Sequence, residues 1–278
     1  MAHRAQSRPD ATALSPVQER VVEQLRRDGV AIVPFAELFT DDERWQRAAA
    51  DMGEFVAETE ALLPSMSHDD RVAAFGKAFL VRRYRVKKGE DRPTFGLENP
   101  WVSMGASPEF LGIVNAYRSE PMRLHDVDNW YTVPDAEAAR SASQRWHRDG
   151  WENHIVKVFT YFNEVDKEAG PFEYVLGSAA GGRYGSLWPW EDKEVYPPQD
   201  ELEAAVDPAA CRSLTGEPGS IVFCDTSGFH RGGFARARPR ILSYHTYLSD
   251  AGQQRHRRKF DVEVEMAELD EQSAYALG

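Results

Sequence analysis

The apolar positions of this chain change period near residue 80. Before it they recur at helical spacing. "SPVQERVVEQLRRDG" sets Val21, Val22 and Leu25 on one helical face behind Ser15 as N-cap and Pro16 at the first helical position, and Asp28-Gly29 ends the helix. "VAIVPF" reads as a short buried strand. Thr40 is expected to cap a second helix, "TDDERWQRAAADMGEFVAETEALL", whose first turn carries acids where the helix dipole favours them. Beyond residue 80, short β-rich runs alternate with Gly/Pro turns: "FLVRRYRV", "MRLHDVDNWYTV", "SQRWHRD", "IVKVFTYFNEV", "PFEYVLGS", "SIVFCD" and "RILSYHTYL". That pattern predicts a mainly β sandwich or barrel with helices outside it, not βαβ units, and no internal repeat is visible. One long interruption, about 179–219, holds "RYGSLWPWEDKEVYPP" and then an acidic helical piece; a loop of that length is usually functional or disordered, and its tryptophans and tyrosine favour function.

Bulk properties narrow the partners. The 278 residues suffice for a sizeable core, and the net charge of -12 argues against nucleic acid, whose phosphates need Lys and Arg. The basic run Arg255 to Lys259 is short and reads as a solvated face. Cys211 and Cys224 form no closely spaced metal pair, which predicts no disulfide framework and a cytoplasmic location. The first residues lack an apolar signal region, no stretch has the length of a membrane span, and 1–14 reads as a disordered leader.

The chemistry starts at "SQRWHRDGW". If that stretch is extended, His147 and Asp149 share one face and Trp146 and Arg148 the other. A third ligand is offered by His230, just past the strand and turn of "GSIVFCDTSGFH". Two histidines and one carboxylate with open positions suit non-haem Fe(II), and the same set also suits a catalytic zinc ion. The cluster "ARARPR" after His230 favours iron, because a 2-oxoglutarate co-substrate needs a cation for its far carboxylate and a guanidinium fork fits it. Arg240 is the expected partner and Arg238 the reserve, since the two have the same strand parity. Gln144 and Asn129 can each donate an amide N–H to the co-substrate or serve as satisfied strand residues.

These pieces, with "DGVAIVP", "VFTYFNEVDKEAGPFEYVLGS" and "RPRILSYHTY" in order over about 18–250, resemble the phytanoyl-CoA dioxygenase (PhyH-like) family of Fe(II)/2-oxoglutarate-dependent oxygenases. The resemblance implies a double-stranded β-helix (jelly-roll, cupin-like) core with flanking helices. It implies His147, Asp149 and His230 as iron ligands and Arg240 as the 2-oxoglutarate arginine. Two positions depart from the family pattern: Gly177-Ser178-Ala179 stands where relatives often read Gly-Ser-His, and the arginine is one residue nearer than in several relatives. On this reading residues 15–278 form a single oxygenase domain. It has a helical part at about 15–80, a core at about 81–250 that includes the 179–219 insertion, and a tail at 251–278.

The implied reaction consumes O2 and 2-oxoglutarate, releases succinate and carbon dioxide, and oxidises an unactivated C–H bond of a small or medium metabolite of natural-product type. Asp149 points to hydroxylation over halogenation, because related halogenases carry Gly or Ala there. Desaturation, oxidative cyclisation and epimerisation share the early steps. A non-catalytic metabolite-binding jelly-roll and a zinc hydrolase are the readings from other classes. Tyr184, Leu187, Trp188, Trp190 and Tyr196, with Trp151 and Phe229, are expected either to form an aromatic lid over substrate or to anchor the insertion.

Overall fold

A computed structural model describes residues 13–86, 90–136, 139–150, 154–189 and 196–278. Helix α1 (Pro16–Asp28) begins as its sequence predicts: Ser15 Oγ accepts from the Gln18 amide while the Ser15 N–H donates to Gln18 Oε1 at 2.9 Å. That reciprocal pair satisfies N–H groups that a helix start leaves without partners. Gly29 closes the helix at φ 81°, a left-handed conformation in which a side chain would also strike the Tyr174 hydroxyl.

Strand β1 (Val30–Pro34) and the single turn α2 (Phe35–Leu38) lead to α3 (Asp42–Leu62) and α4 (His68–Phe75). Asp41 caps α3 instead of Thr40, its carboxylate accepting from the Glu43 amide at 2.8 Å. After β2 (Leu80–Arg82) and β3 (Thr94–Phe95) come two helices that a purely β-rich second half does not anticipate, α5 (Pro100–Gly105) and α6 (Pro108–Arg118). Each opens on a cap followed by proline, Asn99-Pro100 and Ser107-Pro108, a signal legible in the sequence. The chain continues through β4 (Arg123–Thr132), β5 (Ile155–Tyr161), β6 (Phe172–Val175), α7 (Gln199–Ala205), β7 (Cys211–Leu214) and β8 (Ser220–Cys224). It ends with β9 (His230–Arg231), β10 (Arg240–Leu248), α8 (Asp250–Arg255), β11 (Asp261–Val262) and α9 (Glu271–Leu277).

Two antiparallel sheets position the site. The larger runs β1-β8-β5-β10-β4-β2, and the smaller runs β7-β6-β9. Side-chain alternation gives the larger sheet two faces. Val127, Val158, Phe223 and Ile241 face the helices and pack with Leu25, Trp101 and Phe110. Phe159, Val222, Leu242 and Tyr244 face the smaller sheet and pack against its Phe172 and Tyr174. The space between the sheets holds the chemistry described below.

Three expectations are corrected. The 179–219 insertion is not a bare loop with one helix, because it also supplies β7, an edge of the smaller sheet. The 251–278 tail is built into the body: Tyr275, Ala276 and Leu277 are buried. The basic run is not wholly solvated, since the Arg258 guanidinium donates to the carbonyls of Leu124, Ala276 and Leu277 and so ties the last helix down. Both cysteines are free, and no helix among the described residues is long and apolar enough to cross a membrane.

Two structural histidines make the fold acid-sensitive. Burial depresses His125 and His245 from 6.5 to about 4, against the opposing pull of Gln253 on the first and of the Trp101 carbonyl on the second. Both are neutral in the folded protein, so their stabilisation is complete above pH 6.5 and is lost as pH falls towards 4, where the unfolded chain takes up protons that the fold refuses. The slope is roughly 1.4 kcal/mol per pH unit for each histidine. Chemical denaturation of the metal-free protein at pH 7.5, 6 and 5 is expected to show this loss, and a flat profile would refute it.

Candidate metal centre

His147 and His230 meet through backbone pairing. The segment 145–149 is not a strand; His147 alone forms a β-bridge, exchanging N–H···O bonds of 3.0 Å with His230. The Asp149 N–H donates to the Thr226 carbonyl at 2.8 Å, so the two-residue spacing still brings His147 and Asp149 to one side. Gly228, two residues before His230, passes so close to Tyr174 that a Cβ there would lie 2.0 Å from its hydroxyl oxygen.

The ligand atoms of His147, Asp149 and His230 all lie within 4.8 Å of one another, and all three residues are buried. His147 Nδ1 donates to the Arg145 carbonyl at 2.8 Å and His230 Nδ1 to the Gly228 carbonyl at 2.9 Å. Each bond fixes the tautomer and leaves the Nε2 lone pair pointing inward, as a metal ligand requires. Burial lowers both histidines, His230 to about 3 with His147 adding to the depression. Burial opposes the Asp149 charge, yet Lys157 and the two histidines outweigh it and hold the carboxyl well below the usual range. The donor set, its tautomers and its ionisation therefore fit a divalent metal.

Lys157 is the site residue that the sequence reading missed. Its Nζ lies 2.5 Å from Asp149 Oδ2. Burial opposes the ammonium, and Asp149 reverses that effect and raises its pKa. The signal was present: it is the one charged residue in the β5 run "IVKVFTY".

A cavity of about 110 Å³ leads from the triad and Lys157 to Arg240. Arg240 is buried at the start of β10, opposite Thr132 of β4, and its Nη1 donates to the Gly170 carbonyl at 2.7 Å. It forms no ion pair among the described residues, and its Nε and the Thr132 hydroxyl have no hydrogen-bond partner. Two orphaned donors lining one cavity fit a carboxylate. Arg238 is different. It lies in the exposed turn before β10 and pairs with Glu164 at 3.2 Å and with Asp166.

The other expected positions divide. Gln144 lines the cavity, but its Oε1 accepts from the Ser141 amide at 3.0 Å and its Nε2 reaches the Ala78 carbonyl at 3.4 Å. Asn129 is not brought to the site: paired with Ser243, it falls on the helix-facing side of β4, against Asp51 and Trp101. Tyr184, Trp188 and Phe229 pack with Trp146, Val175 and Leu202 in a separate cluster that anchors the insertion, with Leu187 against it. Tyr196 approaches the centre, its ring 5.7 Å from that of His147. Trp151 and Trp190 lie outside the described residues.

Arg148, between the two ligands, turns away from them. Its guanidinium donates to the carbonyls of Ser178, Tyr184, Gly185, Leu187 and Ser227 and stacks 3.8 Å from the centroid of the Phe229 ring.

No protein-family model and no curated protein sequence matches the chain. Solved structures do. EctD from S. alaskensis, crystallised with 2-oxoglutarate and 5-hydroxyectoine, is similar at TM-score 0.56 and 16% identity over 95% of this chain and 96% of that one. SnoK, a non-haem alpha-ketoglutarate-dependent carbocyclase of nogalamycin biosynthesis, is similar at TM-score 0.53 and 16% identity over 93% and 97%. SnoN, an epimerase of the same dependence and biosynthesis, is similar at TM-score 0.51 and 17% identity over 84% and 83%. At such identities the likeness establishes a shared fold: an antiparallel sheet with flanking helices and a second, smaller sheet facing it.

Proposed function

We propose that this protein is an Fe(II)- and 2-oxoglutarate-dependent oxygenase of PhyH-like type on a jelly-roll core, and that it hydroxylates a C–H bond of a small or medium metabolite. The observation that carries the reading is one cavity with His147, Asp149 and His230 at one end and, at the other, a buried Arg240 with no ion pair among the described residues. SnoN, SnoK and EctD, whose structures are named for alpha-ketoglutarate dependence or contain 2-oxoglutarate, support it. Epimerisation and ring closure among those names keep both outcomes as alternatives to hydroxylation. We read residues 15–278 as one catalytic domain of a cytoplasmic enzyme.

Bound iron and 2-oxoglutarate would together supply oxygen activation and the decarboxylation to succinate and carbon dioxide. The chain's own residues hold and orient. His147 and His230 present Nε2 because their Nδ1 protons are engaged. Arg240 and Thr132 receive the far carboxylate of the co-substrate. Phe159, Phe172 and Leu242 give the cavity apolar walls that exclude water.

Under anaerobic conditions, Fe(II) with 2-oxoglutarate is expected to give a weak visible charge-transfer band, and air to give succinate. Arg240→Met should raise the 2-oxoglutarate concentration needed by about 100-fold, the scale of two charge-assisted hydrogen bonds. Arg238→Met should change it less than about twofold, as expected for an exposed surface pair. Wild-type protein with no band and no oxygen-dependent succinate would sink the proposal. Oxygen-independent hydrolysis by a zinc-loaded form would replace it with the hydrolase reading.

A further inference from the structure

Lys157 lines the cavity beside His147, Asp149 and His230. It lies between Cys224 of β8 and Thr246 of β10, its side chain 10% exposed. Its ammonium touches Asp149 Oδ2, the oxygen that lies 3.7 Å from His230 Nε2. We propose that Lys157 is a positioning residue that holds the metal-facing oxygen of Asp149 and shifts the site from metal affinity towards co-substrate affinity. This rests on the oxygenase reading above.

The first argument is coordination. A carboxylate can bind a metal through one oxygen or two. Lys157 holds the Asp149 oxygen that faces His230, so a divalent ion binding there would have to share that oxygen with the ammonium, and this competition weakens metal binding. One Asp149 oxygen and two imidazole nitrogens would fill three positions of an octahedral metal. Three would stay open, enough for the keto acid end of 2-oxoglutarate and for oxygen. A chelating Asp149 would consume one of them.

The second argument is charge. Asp149 and Lys157 cancel, and the histidines bind metal as neutral imidazoles. The empty site is therefore neutral, and a divalent ion makes it doubly positive. Without the lysine the empty site would be negative and the loaded site only singly positive. Charges so deeply buried interact strongly across a few ångströms. The lysine therefore weakens cation binding and strengthens the anion binding that follows.

The expected signs are opposite, and a merely structural lysine would not produce them. Removing a buried structural partner of Asp149 would weaken metal and co-substrate together. Lys157→Met is expected to bind Co(II) about tenfold more tightly, and its Co(II) form to bind 2-oxoglutarate about tenfold more weakly, by calorimetric titration. The visible d–d spectrum of bound Co(II), which reports coordination, should also change. Lys157→Arg should return both affinities towards wild type. Lys157→Gln, which keeps a hydrogen-bond donor without the charge, should behave like the methionine variant, and it serves as the test if methionine does not fold.

A folded Met or Gln variant that binds Co(II) no more tightly than wild type overturns the inference. So does one that binds 2-oxoglutarate as well as wild type does. If wild-type Co(II) protein binds no 2-oxoglutarate at all, the oxygenase reading falls while the Co(II) arm still tests the lysine's action on Asp149.

Discussion

Alanine at His147, Asp149 or His230 is expected to lower oxygen-dependent succinate release by about 10³-fold or more and to leave the protein without metal after dialysis. Each residue supplies one of three donors, and there is no fourth His, Cys, Asp or Glu in the cluster among the described residues. Two donors hold a divalent ion far more weakly than three, and the open positions lose their arrangement. The magnitude follows from losing the group that supplies the chemistry, not one that tunes it. His125→Ala and His245→Ala are the controls: both histidines are buried, but outside the cluster, and should cost stability without abolishing metal uptake. Metal content by elemental analysis and succinate by chromatography read the result. A folded triad variant that keeps both metal and turnover would remove that residue from the site.

Arg148→Met is expected to cost about 3–5 kcal/mol of stability, at the upper end for a single substitution. Among the described residues the buried guanidinium has no carboxylate partner, and it gathers carbonyls from residues 178, 184, 185, 187 and 227. Burial lowers its pKa to about 10, with Tyr174 and Asp225 opposing, so it is charged at neutral pH. Residues 178–187 lack regular helix or strand, and among the described residues the carbonyls of Ser178, Gly185 and Leu187 accept from Arg148 alone, whereas that of Tyr184 also accepts from the Leu187 amide. Lysine cannot replace the fork, because a single ammonium has fewer, differently directed donors. A fall in Tm of about 10 °C, with faster proteolysis between 178 and 189, is the expected readout for both Met and Lys variants. An unchanged melt would show that the carbonyls have other donors.

Site and fold were legible to different depths. Trp146 and Arg148 could be assigned away from the ligands by two-residue alternation alone, and backbone bonds at His147 and Asp149 produce that arrangement without a strand. Alternation gave no choice between Arg238 and Arg240. The turn decides, leaving the first exposed with acids and burying the second opposite Thr132. Asn129 was misjudged for a related reason: which face of β4 looks inward depends on its register with β10, and a one-residue change reverses it. Lys157 was overlooked although a lone charge in an apolar strand is visible, because its partner lies on another segment.

By itself the sequence determined the local features: the α1 capping box and glycine stop, the change of apolar period near residue 80, and the strand that becomes β10. These depend on contacts within a few residues, so composition and spacing suffice. Tertiary structure alone decided which face of each strand is interior, that Arg240 lies buried at the end of the cavity, and that a lysine rests against Asp149. Those outcomes follow from pairings across some eighty residues or more, such as His147 with His230 and Thr132 with Arg240, whose register no local pattern encodes.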